Sequence, residues 1–262
     1  MIDYDYRERR SGPMQLAQER AEPRWNEAPF AHTNLVPFSI TKAQIVALPQ
    51  WSYPDPVFVV RSSKQIESAI HRLLGEVRPA NVGPAQPVLL GLDIEWKPMF
   101  SPADPYNPTS LLQLYAPGVA VIFRINDLRA EAGEEFVFPT LLKDLLTNPY
   151  IYKAGLAVKE DAQRLYDDFG IQTAGCLEIK ELPIYQLCRP KSMVALSAMF
   201  LGISISKAQA TSNWENPRLT HQQIRYAATD AYLSRELYVA MRAASEAYAA
   251  TGVQLWRRGP PS

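Results

Sequence analysis

The side chains of this sequence best placed to do chemistry are four carboxylates and one tyrosine. They are Asp93 and Glu95 in VLLGLDIEW, Asp161 in YKAGLAVKEDAQRL, and Tyr226 with Asp230 in IRYAATDAY. Each lies beside apolar sequence, in a context that aims its side chain inward. Acids that converge in such surroundings repel one another and lose solvation unless a cation holds them together. An oxygen-only donor set of this kind suits a hard divalent ion. A pair of such ions is able to cleave a phosphodiester bond.

The elements that must position these residues are legible from local pattern. Residues 88–92 form an apolar run after Pro84 and Pro87, the mark of a strand buried on both faces. Alternation along it puts Asp93 and Glu95 on one face and Ile94 on the other. A strand end with two solvated acids is the competing reading. The spacing predicts a helix over 158–169, with Ala162, Leu165, Tyr166 and Phe169 as its buried stripe and Asp161 in its first turn. An acid there also serves as an ordinary partner of the helix dipole. Thr220 and Gln223 form a capping-box pattern that starts a second helix. On it Tyr226 and Asp230 stand one turn apart on one face. Taken alone, a Tyr-x-x-x-Asp pair is equally a structural tyrosine with a surface acid.

In order and spacing the three segments resemble the 3′-5′ exonucleases of the DEDD superfamily, in the tyrosine-bearing branch of RNase D and the Werner syndrome exonuclease domain. The likeness rests on DIEW at 93–96, GLAVKED at 155–161 and YAATDAY at 226–232, with LLQLY at 111–115 and SNWENPRLTHQQIRYAATDAY at 212–232 around them. The last stretch looks closest to the Werner type. The resemblance implies a two-metal site for Mg2+ or Mn2+. Asp93 would bridge both ions, Glu95 and Asp230 would complete the site that activates the attacking water, and Asp161 would help hold the second ion. Tyr226 would orient the water, since a phenol with a reference pKa of about 10 is a poor base near neutral pH. Some Werner-type domains carry a tryptophan just beyond the second-motif aspartate, where this chain has Ala162, Gln163 and Arg164.

The resemblance further implies a ribonuclease H-like α/β fold with a mixed five-stranded sheet flanked by helices. Strands over 111–116 and 119–125, joined by Pro117-Gly118, would form an antiparallel meander with the Val88 strand. Strands over 150–156 and 177–182 would add in parallel. A strand at 57–60 and an amphipathic helix at 64–75 precede them. The expected organisation is a flexible arm at 1–34, an extended segment at 35–56 packing on the domain, the exonuclease domain at 57–250, and a tail at 251–262.

The expected activity is removal of nucleoside 5′-monophosphates from DNA, at single strands or 3′ ends. Trimming of small or structured RNA is the alternative, and a non-catalytic nucleic-acid-binding module a further one. Contacts to the strand are expected from Trp96 and Met99, which follow the first motif, from Lys207 and Trp214 before the third, and from Arg225. Formal net charge is zero, which suits a local grip on a few nucleotides rather than a long basic track. The three histidines lie outside the motifs' catalytic positions, and Cys176 and Cys188 are not spaced as a metal knuckle. No run is long enough to span a membrane, and the N-terminus lacks the apolar core of a signal peptide. An intracellular enzyme is expected, with the nucleus favoured, and any helicase or other unwinding partner would act in trans.

Overall fold

The computed structural model describes residues 39–101 and 103–250. The expected arm at 1–34 and tail at 251–262 lie outside the described residues. In chain order the elements are α1 (Lys42–Ala47), β1 (Val57–Val60), α2 (Ile66–Leu74), β2 (Val88–Glu95), β3 (Leu111–Ala116), β4 (Val119–Arg124), α3 (Ile125–Ala132), α4 (Thr140–Thr147), β5 (Ile151–Gly155), α5 (Val158–Phe169), β6 (Cys176–Glu178), α6 (Pro183–Leu187), α7 (Met193–Leu201) and α8 (His221–Ala250). They form an α/β fold around a central mixed sheet, as the resemblance implied.

The sheet has six strands in the order β1-β4-β3-β2-β5-β6, one more than expected. The addition is β1, which pairs in parallel with the outer side of β4. Its apolar run was legible, but nothing local to it names the strand it joins. β2 is central. It pairs antiparallel with β3 and parallel with β5, so neighbours running in opposite directions fix its register.

Alternation along β2 sorts the two layers. Leu90, Leu92 and Ile94 enter a core with α2, α4 and α5, built on Ile66, Leu73, Leu142, Leu145, Val158 and Leu165. Leu89 faces the opposite layer, where Leu233, Leu237 and Met241 of α8 meet α6 and α7. Asp93 and Glu95 share the face of Leu89 and therefore look toward α8. Gly91 lies between them and permits the approach of that helix. A Cβ at 91 would sit 1.9 Å from the Ala231 carbonyl oxygen, so backbone packs on backbone there. The alanines of the third motif complete this contact, with Ala227, Ala228 and Ala231 all buried.

One expectation about a side chain changes. Tyr166 is half exposed, because the buried stripe of α5 runs through Val158, Ala162 and Leu165 and turns away from it. The segment expected to be extended, described from residue 39 on, contains α1 and holds to the domain by bridges from Ser39 to Arg189 and from Gln50 to Ser204. Tyr53 is buried against α8, where its N–H donates to the Thr229 hydroxyl at 3.0 Å.

Candidate active site

The site lies at the carboxyl end of β2, where α8 crosses it and α5 leaves β5. Asp93, Glu95 and Asp230 each offer a carboxylate oxygen, and these oxygens lie within 4.8 Å of one another. Asp161 and Tyr226 line the same cleft of about 260 Å³, together with Trp96 and Pro98. Asp161 stands outside the tight group of three. The capping box that starts α8 is formed: the Thr220 backbone N–H donates to Gln223 Oε1 at 2.9 Å, and the Gln223 N–H donates to the Thr220 hydroxyl at 3.2 Å. That cap sets the helical phase that points Tyr226 and Asp230 into the cleft.

The electrostatics are those of a cation site. Burial first, then Asp230, Glu95 and Asp161, push the Asp93 carboxyl well above its ordinary range. Burial, followed by Asp230 and Asp161, raises Glu95 to about 9. Asp161 is pushed up to about 8 by burial and by the nearby Glu160 and Glu178. Asp230 rises to about 7 through burial, against the lowering effects of the Tyr226 hydroxyl that donates to it and of Lys207. Desolvation, then Asp230, Glu95 and Asp93, push the Tyr226 phenol far above its usual range, so it stays protonated in the metal-free site. The donor set fits a divalent cation: hard oxygens, deeply placed, that repel one another without a positive charge.

A pH dependence follows. These folded carboxyls keep protons at a pH where the unfolded chain has lost them, so the native state binds more protons between about pH 4 and pH 9. The stability of the metal-free protein therefore falls as pH rises through that window. Divalent ions displace the protons, so the rise in Tm on adding Mg2+ or Mn2+ should be larger near pH 8.5 than near pH 6, by roughly several degrees. Differential scanning fluorimetry across pH, with and without metal, reads this directly, and a metal-induced shift independent of pH would contradict it.

Asp161 is placed by a device with no local sequence signal. Ala157, just before α5, has a left-handed backbone (φ 78°) and offers no side-chain cap. The buried carboxylate of Glu178, at the end of β6, takes that role from across the chain. It accepts from the N–H groups of Ala157 at 2.9 Å and Lys180 at 3.0 Å, and from that of Lys159 at 3.3 Å. Glu178→Ala is expected to cost about 2 kcal/mol in urea unfolding, because it strips a charged cap from buried N–H groups. The same change frees the first turn of α5, so cleavage slows as well.

The proposed strand contacts separate into two groups. Trp96 lines the cleft, and the Arg164 guanidinium sits 3.9 Å over its ring. Met99 is exposed beside it on the loop after β2, next to the more exposed Phe100. Lys207 is exposed and close enough to act on Asp230. Trp214, in contrast, has 0% exposure and packs 5.9 Å from the Tyr226 ring, centroid to centroid. It supports the tyrosine from below and does not reach a bound strand. Arg225 is likewise withdrawn: its guanidinium donates to the carbonyls of Tyr53 and Asp55, tying the segment before β1 to α8.

Comparison with known proteins agrees with this geometry. A family model described as a 3′-5′ exonuclease matches residues 57–245. Exonuclease 3′-5′ domain-containing protein 2 of Homo sapiens is 34% identical over 158 residues, covering 58% of this chain and 24% of that protein. The bifunctional 3′-5′ exonuclease/ATP-dependent helicase WRN of Mus musculus is 30% identical over 154 residues, covering 57% of this chain and 10% of that protein. The chain thus spans about a quarter of the length of the first relative and a tenth of the second. The likeness is therefore not special to the Werner type. The Nibbler EXO domain of Aedes aegypti shares the fold, with a TM-score of 0.59 at 18% identity, over 76% of this chain and 94% of that one. With the family model spanning most of the sequence and the four carboxylates gathered on one cleft, the chain belongs to the DEDD-type 3′-5′ exonuclease family.

Proposed function

We propose that this protein hydrolyses the terminal phosphodiester bond at the 3′ end of a single nucleic-acid strand, by a two-metal mechanism, releasing nucleoside 5′-monophosphates. The observation that carries this reading is the convergence of Asp93, Glu95 and Asp230 within 4.8 Å, with Tyr226 donating to Asp230. Asp93, Glu95 and Asp230 would hold one divalent ion, and Asp93 with Asp161 a second. When bound, the ions supply an activated water and neutralise charge on the attacked phosphate.

The chain's own residues do the rest. Asp230 fixes the Tyr226 hydroxyl by accepting its proton in a hydrogen bond, and Trp214 holds the ring from beneath. The hydroxyl thereby offers its oxygen at a set position, where it orients the water for in-line attack without taking its proton. Trp96 and Met99, at the first motif, meet the terminal base, while Lys207 balances phosphate charge at the mouth. Tyr226→Phe removes only the hydroxyl and is expected to lower kcat by roughly 10- to 100-fold with KM nearly unchanged. Single-turnover assays on a labelled strand separate the two parameters.

For the sugar, trimming of RNA has more support than degradation of DNA. Work at a duplex DNA end calls for an element that parts the strands. The position where some Werner-type domains carry tryptophan is occupied here by the 162–164 stretch. Ala162 is buried, and Arg164 is engaged with Trp96, Tyr106 and the Asn107 carbonyl. An unpaired 3′ end suits such a cleft, and unwinding of structured substrates would fall to a partner protein. The deciding experiment uses 5′-labelled RNA and DNA of matched sequence, with Mg2+ or Mn2+, resolved as ladders. A 3′-directed ladder on RNA alone, or faster on RNA, supports this reading; a ladder on DNA alone overturns the sugar assignment, and none on either overturns the activity.

A further inference from the structure

Gln113 on β3 lies directly opposite Asp93 on β2. Residues paired in this way project from the same face of the sheet, with their Cβ atoms about 5 Å apart. The Gln113 side chain is fully buried, and neither its amide nitrogen nor its amide oxygen has a hydrogen-bond partner. A buried carboxamide left unpaired at both ends burdens the fold, and an apolar residue would not. Its neighbours on that face include Leu111 and Tyr115 along β3 and Ile122 across on β4.

Two polar groups of this layer complement it. Asp93 is a carboxylate, which accepts. Trp214 packs with Leu111 and Ile122, the residues that flank Gln113, and its buried indole N–H also lacks a partner. An indole only donates, an ionised carboxylate only accepts, and a carboxamide does both. We propose that Gln113 is a positioning residue for Asp93: in the metal-loaded protein its amide N–H donates to the Asp93 carboxylate while its carbonyl accepts from the Trp214 indole. One bridge then joins the ligand shared by both ions to the residue beneath Tyr226. This inference rests on the reading of Asp93 as a metal ligand.

Gln113→Met keeps the length and volume of the side chain and removes both polar ends. Without metal, its Tm is expected to equal or exceed that of the parent chain, since two unpaired polar atoms leave the core. Calorimetric titration with Mn2+ should show affinity weakened on the order of 10- to 100-fold, the usual effect of losing a group that orients a ligand. On a labelled strand kcat falls while KM holds. Trp214→Phe keeps the ring support and removes the donor, so it should weaken Mn2+ binding in the same direction. The double variant should lose less than the sum of the two. Mn2+ affinity within about twofold of the parent in Gln113→Met would overturn the proposal. Failure of the underlying reading looks different: there, Asp93→Asn itself binds Mn2+ as the parent does.

Discussion

Asp93→Ala is expected to lower cleavage by at least about a thousandfold while the circular dichroism spectrum stays that of the parent. The carboxylate belongs to the close group with Glu95 and Asp230, and burial and those neighbours strongly oppose its charge. No other described side chain takes its place, because Ile94 faces the opposite layer and Gln113 carries no charge. The same reasoning gives the variant a second signature. Removing this carboxylate removes the cost of placing it among buried acids, so the metal-free Tm near pH 8 should rise as activity vanishes. A variant that still produced a full ladder would overturn the proposed mechanism, and one that lost activity by unfolding would show it in the spectrum.

Gly91→Ala should have the largest effect on stability of any single methyl group added at the site. The new Cβ would meet the Ala231 carbonyl oxygen at 1.9 Å and the Arg235 amide nitrogen at 2.9 Å. Both are backbone atoms of α8, so no rotamer change relieves the clash and the helix itself must shift. Overpacking of this kind costs about 3 kcal/mol or more. Because α8 carries Tyr226 and Asp230, the chemistry suffers with the fold, and added metal should recover only part of the loss. Gly83→Ala is the control: nothing lies within 4 Å of its Cβ. It should stay within about 0.5 kcal/mol of the parent in urea unfolding. A Gly91→Ala protein as stable as that control would mean that α8 does not pack on β2 as described.

The features written locally in the sequence are those that local physics governs. The alternation of LDIEW set the face of Asp93 and Glu95, and the Thr220–Gln223 pair marked the start of α8. The spacing from Val158 to Phe169 matched α5 end to end. What escaped depended on partners distant in the chain. Glu178 caps a helix some twenty residues before it, and a glutamate in the stretch CLEIKEL carries no sign of that duty. Trp214 read as a strand contact or as an anchor for the start of α8, and packing against Tyr226 decides for the buried position. Arg225 read as a phosphate contact, but the carbonyls that claim it belong to residues 53 and 55. Gly91 did leave a signal, since a glycine within an apolar strand marks close approach of another backbone. Which backbone approaches is a matter of topology.

The distribution of the site over β2, α5 and α8 bears on when the protein first becomes able to cut. Synthesis delivers Asp93 and Glu95 early and Asp161 later, but Tyr226 and Asp230 arrive on the last described helix. Until α8 lands on Gly91, Asp93 and Glu95 share their cleft with Asp161 but lack Asp230, the third member of the close carboxylate group. A chain ending before that helix therefore carries all six strands of the sheet and an incomplete carboxylate set. The close carboxylate group is complete only once α8, the last described helix, packs over the sheet.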